Sequence, residues 1–517
     1  MNRPSLCLAA LACLLAAAPT VMAGPPNVVF IMADDVGLGD IGYYHRQRTG
    51  KAPVAPTPNL DSLAAAGMRF SDAHSSTALC SPTRYCAMSG NLNYRSNAPW
   101  GVWGSFRPTP FTDTDATLGR IAQSAGLTTA FIGKWHLGGD FGRADGKGIY
   151  RGADRGDKPL GVDVSKMIAG GPPSTGFDYS YTLPCGIQGP LYVAYENGAW
   201  SPFAADSRII HFSAKSAGDP AYVSDKGPGM GDSRWDPSRV GPMIAAKAAA
   251  FIENSAAEEK PFFLCYWTPA VHLPHLPPAQ FDGRKVRGET PTRHLDMLID
   301  LDQQVGKIVG ALRGSDVLDN TLLIFSSDNG GLNDARGQAA GHDSSGGYRG
   351  FKNQPYEGGH RVPFFAVWPG KIEPGSRSDE PVAVHDVAAT MAAAVGAPLG
   401  PQQAQDSYNL LPLLLGQAGF VGRDELLLQG GSQHEVIYRR GDWKLIVQSN
   451  RPATQWRPAA LFNLAQSPLE AEGENLIDDP EQAARVKSML QRYRQLRSSG
   501  ERTAPPTHPE TTTGKAG

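Results

Sequence analysis

The 517-residue chain carries 48 basic and 50 acidic side chains, a formal charge of −2, and an apolar fraction of 41%. That balance excludes a nucleic-acid binder working through a basic stripe, because no run of Lys and Arg is there to displace counterions from phosphates. It also excludes a disordered chain, since the apolar fraction supports a large core. Any attraction for an anionic substrate must be local.

Residues 1–23 have the pattern of an export signal. Arg3 gives a positive start, residues 6–18 are apolar and uncharged, and Val21-Met22-Ala23 ends in small residues. Cleavage is expected after Ala23. The apolar run is short for a bilayer span, and no later segment approaches transmembrane length. A secreted or periplasmic location follows as an expectation. Cys7 and Cys13 lie in this segment, which leaves Cys80, Cys86, Cys185 and Cys265. In an oxidising compartment these four could form two disulfides.

In chain order, residues 27–32 (NVVFIM) are a continuous β-branched and aromatic run, the pattern of a strand buried on both faces. Helices are predicted over 59–66 and 116–125, each followed by Gly, with a strand over 128–132. Residues 139–241 are rich in Gly, Pro, Tyr and Asp with little periodicity and read as long substrate-binding loops. A helix over 243–254 precedes the strand 262–267 (FFLCYW), and a long amphipathic helix over 295–312 precedes the strand 321–325. One more strand is expected at 363–368 and one more helix at 382–395.

This alternation predicts an α/β fold with a mostly parallel central sheet flanked by helices. From residue 426 the pattern changes to a smaller antiparallel sheet, closed by a charged helix over 479–497. The expected organisation is a leader at 1–23, a catalytic domain at 24–425, a C-terminal subdomain at 426–502 and a disordered Pro/Thr-rich tail at 503–517.

In parallel sheets of this kind, ligands sit beyond the carboxyl ends of the strands. Asp34 and Asp35 follow the first strand, and Asp328 and Asn329 follow TLLIFSS. Four oxygen-bearing side chains from two strand ends suit one hard cation, Ca²⁺ more than Mg²⁺. Neither pair has Cys or His beside it in sequence, which disfavours zinc. The alternative is a set of turn-forming residues after strands.

Cys80-Ser81-Pro82-Thr83-Arg84 is the decisive segment. Pro82 suits the first turn of a helix, predicted over 82–89, so Cys80 falls at a helix N-terminus, where an anion is favoured. Arg84 lies one turn further on the same side. Lys134 and His136, two apart, share a side if their segment is extended.

The Cys80-x-Pro82-x-Arg84 pattern resembles the signature of the formylglycine-dependent sulfatases of the alkaline phosphatase superfamily. The likeness extends to TPNLDSLAAAGMRF at 57–70, GKWHLG at 133–138, SDNG at 327–330, Lys352, and EGGHRVP at 357–363, in the family's order. It implies an alkaline-phosphatase-like fold and hydrolysis of an organic sulfate ester. It implies that Cys80 is oxidised to formylglycine by a formylglycine-generating enzyme. It also implies that Asp34, Asp35, Asp328 and Asn329 bind the metal together with the modified Cys80. Lys134 and His136 resemble the residues that hold formylglycine and sulfate. Arg84 resembles the residue that orients formylglycine, and Lys352 the cation near the leaving oxygen. His272 and His275 both precede Leu-Pro; His272 is taken as the sulfate-contacting histidine and His275 as the alternative.

The resemblance further implies that the aldehyde hydrates and one hydroxyl attacks sulfur. His272 or Lys352 would protonate the leaving alcohol, and His136 would accept a proton as sulfate departs. The segments Gly176-Phe177-Asp178-Tyr179 and 192–197 (YVAYEN) resemble those of sulfatases acting on sulfated sugars. The expected substrate is therefore a sulfated carbohydrate, of a galactose- or N-acetylgalactosamine-6-sulfate type, with aryl sulfates as simpler ones. The rivals are a phosphonate monoester hydrolase or phosphodiesterase of the same superfamily, and a non-catalytic protein that binds sulfated glycans.

Overall fold

The computed structural model describes residues 24–505 apart from positions 100, 433 and 452. The expected leader and the expected tail beyond residue 505 lie outside the described residues.

Six strands form the middle of a twelve-stranded mixed sheet. They are β1 (Asn27–Ala33), β2 (Thr128–Lys134), β3 (Tyr179–Leu183), β4 (Phe262–Trp267), β5 (Thr321–Ser327) and β6 (Phe365–Val367). Their spatial order is β6-β5-β1-β4-β2-β3. The five from β5 to β3 are mutually parallel, and β6 runs antiparallel on β5. All seven residues of β1 are buried, as its unbroken apolar run requires.

The main helices are α1 (Pro58–Ala66), α2 (Cys80–Ser89), α3 (Leu118–Ser124), α4 (Val240–Ala257), α5 (Arg293–Gly314) and α6 (Val387–Val395). The period-two alternation of β1 divides them into two layers. Val29 and Ile31 pack with Leu60 of α1, Ile244 of α4 and Leu298 of α5. Val28, Phe30 and Met32 pack with Met88 of α2, Leu118 of α3 and Met391 of α6. The sheet is therefore sandwiched, which buries both of its faces.

Three expectations need correction. Residues 139–241 are not simply loops. They contain β3 and six further strands, of which Asp140–Arg143, Val162–Ala169, Ala194–Glu196 and Ala199–Ser201 extend the main sheet. These strands are short and separated by Gly-rich turns, so no window is long enough to show a period. Next, residues 382–386 are a short strand and a 3-10 turn before α6 begins. Finally, α2 starts at Cys80, so Pro82 is its third residue. The missing N–H still costs nothing, because the first helical bond is donated by Thr83 N to Leu79 O (3.3 Å).

The C-terminal sheet has strands β7 (Glu425–Gln429), β8 (Glu435–Arg440), β9 (Trp443–Ser449) and β10 (Trp456–Asn463) in sequential antiparallel order. Helix α7 (Ala483–Ser499) covers it through Met489, Tyr493 and Leu496. Lys444 of β9 is buried and bonds Glu357 (2.9 Å) and Glu470 (2.7 Å). Its ammonium also lies 3.1 Å from His360 Nε2. His360 Nδ1 is 2.9 Å from His74 Nδ1, and His74 Nε2 is 2.8 Å from Asp72. The charged residues of EGGHRVP thus join the smaller sheet to the larger one and stand away from the site described next. His74, Glu357 and His360 have metal-ligand spacing, but the ammonium of Lys444 already supplies the cation there.

Candidate active site

The carboxyl ends of β1, β2, β4 and β5 deliver the candidate residues to one place, facing the N-terminus of α2. Asp34 and Asp35 leave β1; Asp34 N donates to Ala270 O (2.9 Å), and Asp35 turns with φ 66°. Asp328 and Asn329 leave β5, and Asp35 N donates to Asp328 Oδ1 (3.2 Å). Lys134 ends β2. The chain before it passes so near β4 that a Cβ on Gly133 (φ 126°) would lie 2.0 Å from Trp267 O. Only glycine permits that approach.

Lys134 Nζ donates to Asp34 Oδ2 (2.6 Å) and to Gln188 Oε1 (3.3 Å). Lys352 Nζ lies 2.6 Å from Asp35 Oδ1. Arg84 is fully buried and donates Nε (3.1 Å) and Nη2 (2.7 Å) to Asp328 Oδ2, with Nη1 to Lys134 O (2.9 Å). Its guanidinium lies over the Trp267 ring. Cys80 Sγ is 3.4 Å from His136 Nδ1. His136 reaches it differently from expectation. The segment is not extended there: Trp135 is buried, and His136 adopts φ 56°. Its carbonyl accepts from Ser81 Oγ (2.7 Å), which fixes the turn.

His272 stands over this group, with Nε2 3.8 Å from Asp35 Oδ2 and Nδ1 2.8 Å from Leu273 O. His275 packs instead against His294, ring centroids 5.0 Å apart and tilted by 33°. Between the two candidates, only His272 lines the cavity with Cys80, His136, Asp35 and Lys352.

Electrostatics among these buried groups follow from crowding. Burial pushes the Asp34 carboxyl up, but Lys134, His272 and Arg84 outweigh it and hold it below its ordinary value. Asp35 is likewise held low against burial, chiefly by Lys352. Asp328 is pushed up to about 7 by burial and by the Asp34 carboxylate. Burial raises the Cys80 thiol, lowers His136 well below the usual histidine range and lowers His272 to about 4. In a buried cysteine of this kind the thiol form is favoured, and the thiol is a poor nucleophile.

The residues fit a hard divalent cation. Asp34 Oδ1 and Asn329 Oδ1 are buried and accept no hydrogen bond, an arrangement that costs free energy unless a cation or a donor meets them. Asp34, Asp35 and His272 each offer a ligand atom within reach of one another. His272 is therefore near the carboxylates in space, although the sequence shows no histidine beside them. Oxygen still dominates the donor set, which favours Ca²⁺ or Mg²⁺ over softer ions.

Comparison with known proteins decides the family. Residues 26–397 match the sulfatase family model. The chain belongs to the sulfatase family. This sulfatase is 29% identical over 486 residues to an N-acetylgalactosamine-6-O-sulfatase of Bacteroides thetaiotaomicron, covering 86% of this chain and 88% of that one. It is 29% identical to human arylsulfatase A, covering 96% of this chain and 90% of that one. A solved Bacteroides thetaiotaomicron structure, described in the context of glycosaminoglycan metabolism, superposes with a TM-score of 0.75 at 25% identity. That match covers 92% of this chain and all of the other. The sulfatase is thus a hydrolase of sulfate esters with the alkaline-phosphatase-like fold.

Other outcomes differ from the sequence reading. All four cysteines of the sulfatase outside the first 23 residues are free thiols, so the two-disulfide alternative does not hold among the described residues. Tyr192 and Tyr195 are fully buried, and Asp178 accepts from Thr129 N (2.9 Å). The two segments that resemble those of sugar sulfatases do not line the cavity. Gln188 joins the site through Lys134 without any motif to mark it. Its signal is the turn-rich stretch Pro184-Cys185-Gly186-Ile187-Gln188-Gly189-Pro190, directly after a buried strand. Among the described residues, no helix is long and apolar enough to cross a membrane.

Proposed function

We propose that this sulfatase removes sulfate from a sulfated carbohydrate, using formylglycine made from Cys80 and a bound Ca²⁺. The observation carrying this reading is the convergence of Cys80, His136, Lys352 and His272 on one cavity of about 570 Å³, with Lys134 behind them on Asp34. That volume suits a small organic ligand.

Asp34, Asp35, Asp328 and Asn329 would hold the cation, whose contribution when bound is to neutralise negative charge on the sulfate and on the nucleophile. Formylglycine supplies an oxygen nucleophile that the buried thiol lacks. Lys352 keeps its proton, because Asp35 and its acidic neighbours offset burial. It reaches the cavity and can bond a sulfate oxygen. Lys134 sits deeper, tied to Asp34. His136 is held neutral and contacts the Cys80 side chain, so its Nδ1 can accept a proton there. His272 directs Nδ1 at the Leu273 carbonyl, which leaves Nε2 toward the reacting group. The charge of a sulfate ester favours protonating that nitrogen, and His272 or Lys352 would then donate to the departing alcohol.

The similar N-acetylgalactosamine-6-O-sulfatase supports the carbohydrate part of the reading. Export, resting on the pattern of residues 1–23, belongs to the same proposal. The test is sulfate release from 6-sulfated N-acetylgalactosamine and from 4-nitrophenyl sulfate, alongside a phosphate diester. Preference for the diester would place the protein with the phosphodiesterases, and binding without turnover would favour the glycan-binding reading.

A further inference from the structure

Beyond the proposed catalytic group, the cavity wall carries Asp154, Arg155, Asp225 and Lys226 together with the apolar Val102 and Leu273, 48% and 42% exposed. The four charged residues come from two segments, which brace each other and the segment around Phe106. Arg155 Nη1 donates to Lys226 O (3.2 Å), and Gly156 N donates to Pro228 O (3.1 Å). Tyr192 Oη donates to Gly227 O (2.6 Å) from the core beneath. Phe106 N donates to Asp154 Oδ1 (3.3 Å). Asp154 fills the space over Gly104 so closely that a Cβ there would lie 2.3 Å from Asp154 Oδ2.

The carboxylates on this wall have unused accepting capacity. Asp225 Oδ2 is buried and accepts no hydrogen bond, although Lys226 Nζ stands 3.4 Å away. Asp154 Oδ1 accepts one long bond, from Phe106 N. Each carboxylate adjoins a cation, so the wall is balanced in charge and offers acceptors and donors side by side. A polyol ring matches that pattern, because each hydroxyl both donates and accepts. A flat aryl or sterol leaving group has no donors to give, and would leave buried acceptors unpaired.

We infer that Asp154 and Asp225 are specificity-determining residues that accept hydrogen bonds from free hydroxyls of a sugar ring, with the C–H face of that ring on Val102 and Leu273. The inference rests on the sulfatase reading above and narrows its leaving group to a polyhydroxylated ring.

The experiment compares kcat/KM for 6-sulfated N-acetylgalactosamine and for 4-nitrophenyl sulfate in wild type, Asp154→Asn and Asp225→Asn. Loss of a hydrogen bond to a charged acceptor predicts a fall of about 10- to 100-fold on the sugar, carried mainly by KM. The fall on the aryl ester should be smaller by at least about tenfold. Equal losses on both substrates, or none on either, would overturn the inference. A second measurement needs no variant: free N-acetylgalactosamine should inhibit wild-type aryl sulfate turnover more strongly than cyclohexanol, which lacks the extra hydroxyls. Equal inhibition would overturn the inference. Wild-type turnover of the aryl ester alone would sink the inference and leave the sulfatase activity intact; turnover of neither would sink the underlying reading itself.

Discussion

Arg84 gives two N–H groups to a single oxygen, Asp328 Oδ2, at 3.1 and 2.7 Å, while Asp328 Oδ1 accepts the backbone N–H of Asp35. One helix residue thereby fixes the orientation of a carboxylate at the end of β5, and through it the turn at the end of β1. Both partners are fully buried. Removing one member of such a pair leaves an uncompensated charge. Arg84→Ala is expected to lower unfolding stability by about 3–5 kcal/mol, read from urea denaturation. A loss below about 1 kcal/mol would mean that the pair is dispensable.

The bare oxygens of Asp34 and Asn329 lead to a second expectation. Chelator-treated enzyme should lose both activity and thermal stability, and Ca²⁺ should restore them better than Mg²⁺. Saturation at a hundredfold excess over Kd corresponds to about 2.7 kcal/mol. Equal melting temperature and activity in chelator and in Ca²⁺ would rule the cation out.

Lys352 reaches the cavity while held by Asp35 at 2.6 Å. If it stabilises charge on the sulfate as the ester cleaves, Lys352→Ala should reduce kcat by about 10²–10³-fold. A change confined to KM would assign it to ground-state binding instead.

Asp300 of α5 gives a pH prediction. Its carboxyl is pushed up to about 7 by burial; among the described residues Oδ1 has no hydrogen-bond partner, and Gln304 Nε2 donates to Oδ2 (2.9 Å). In the unfolded chain it titrates near its ordinary value of about 3.9. Between these values the folded state keeps a proton that the unfolded state has lost, so this group's contribution to stability is lost as pH rises through about 7. Asp300→Asn removes that dependence. The melting temperature of the variant relative to wild type should therefore be higher at about pH 8 than at about pH 4. A difference independent of pH would show that Asp300 titrates normally.

The parallel part of the sheet was legible because its strands are unbroken apolar runs with polar residues immediately after them. Asp34, Asp35, Lys134, Asp328 and Asn329 follow such runs, so their meeting at one edge follows from topology. What stayed hidden is contact between distant segments. Nothing near residues 34 or 328 in sequence announces His272, and His136 depends on a left-handed turn that alternation cannot show. The strands between 139 and 241 are only three to eight residues long and set in Gly-rich turns, so pairing, not local pattern, defines them. The wall of Asp154 and Asp225 is illegible for the same reason, since its segments are joined mainly through backbone carbonyls.

The most direct test of the account is the mass of the peptide containing Cys80, taken from protein produced alongside a formylglycine-generating enzyme. Oxidation of Cys80 to formylglycine gives a peptide about 18 Da lighter than the cysteine form, as replacement of the thiol by an aldehyde requires. A peptide with the mass of unmodified or disulfide-bonded cysteine, from an enzyme that still releases sulfate, would contradict formylglycine as the nucleophile.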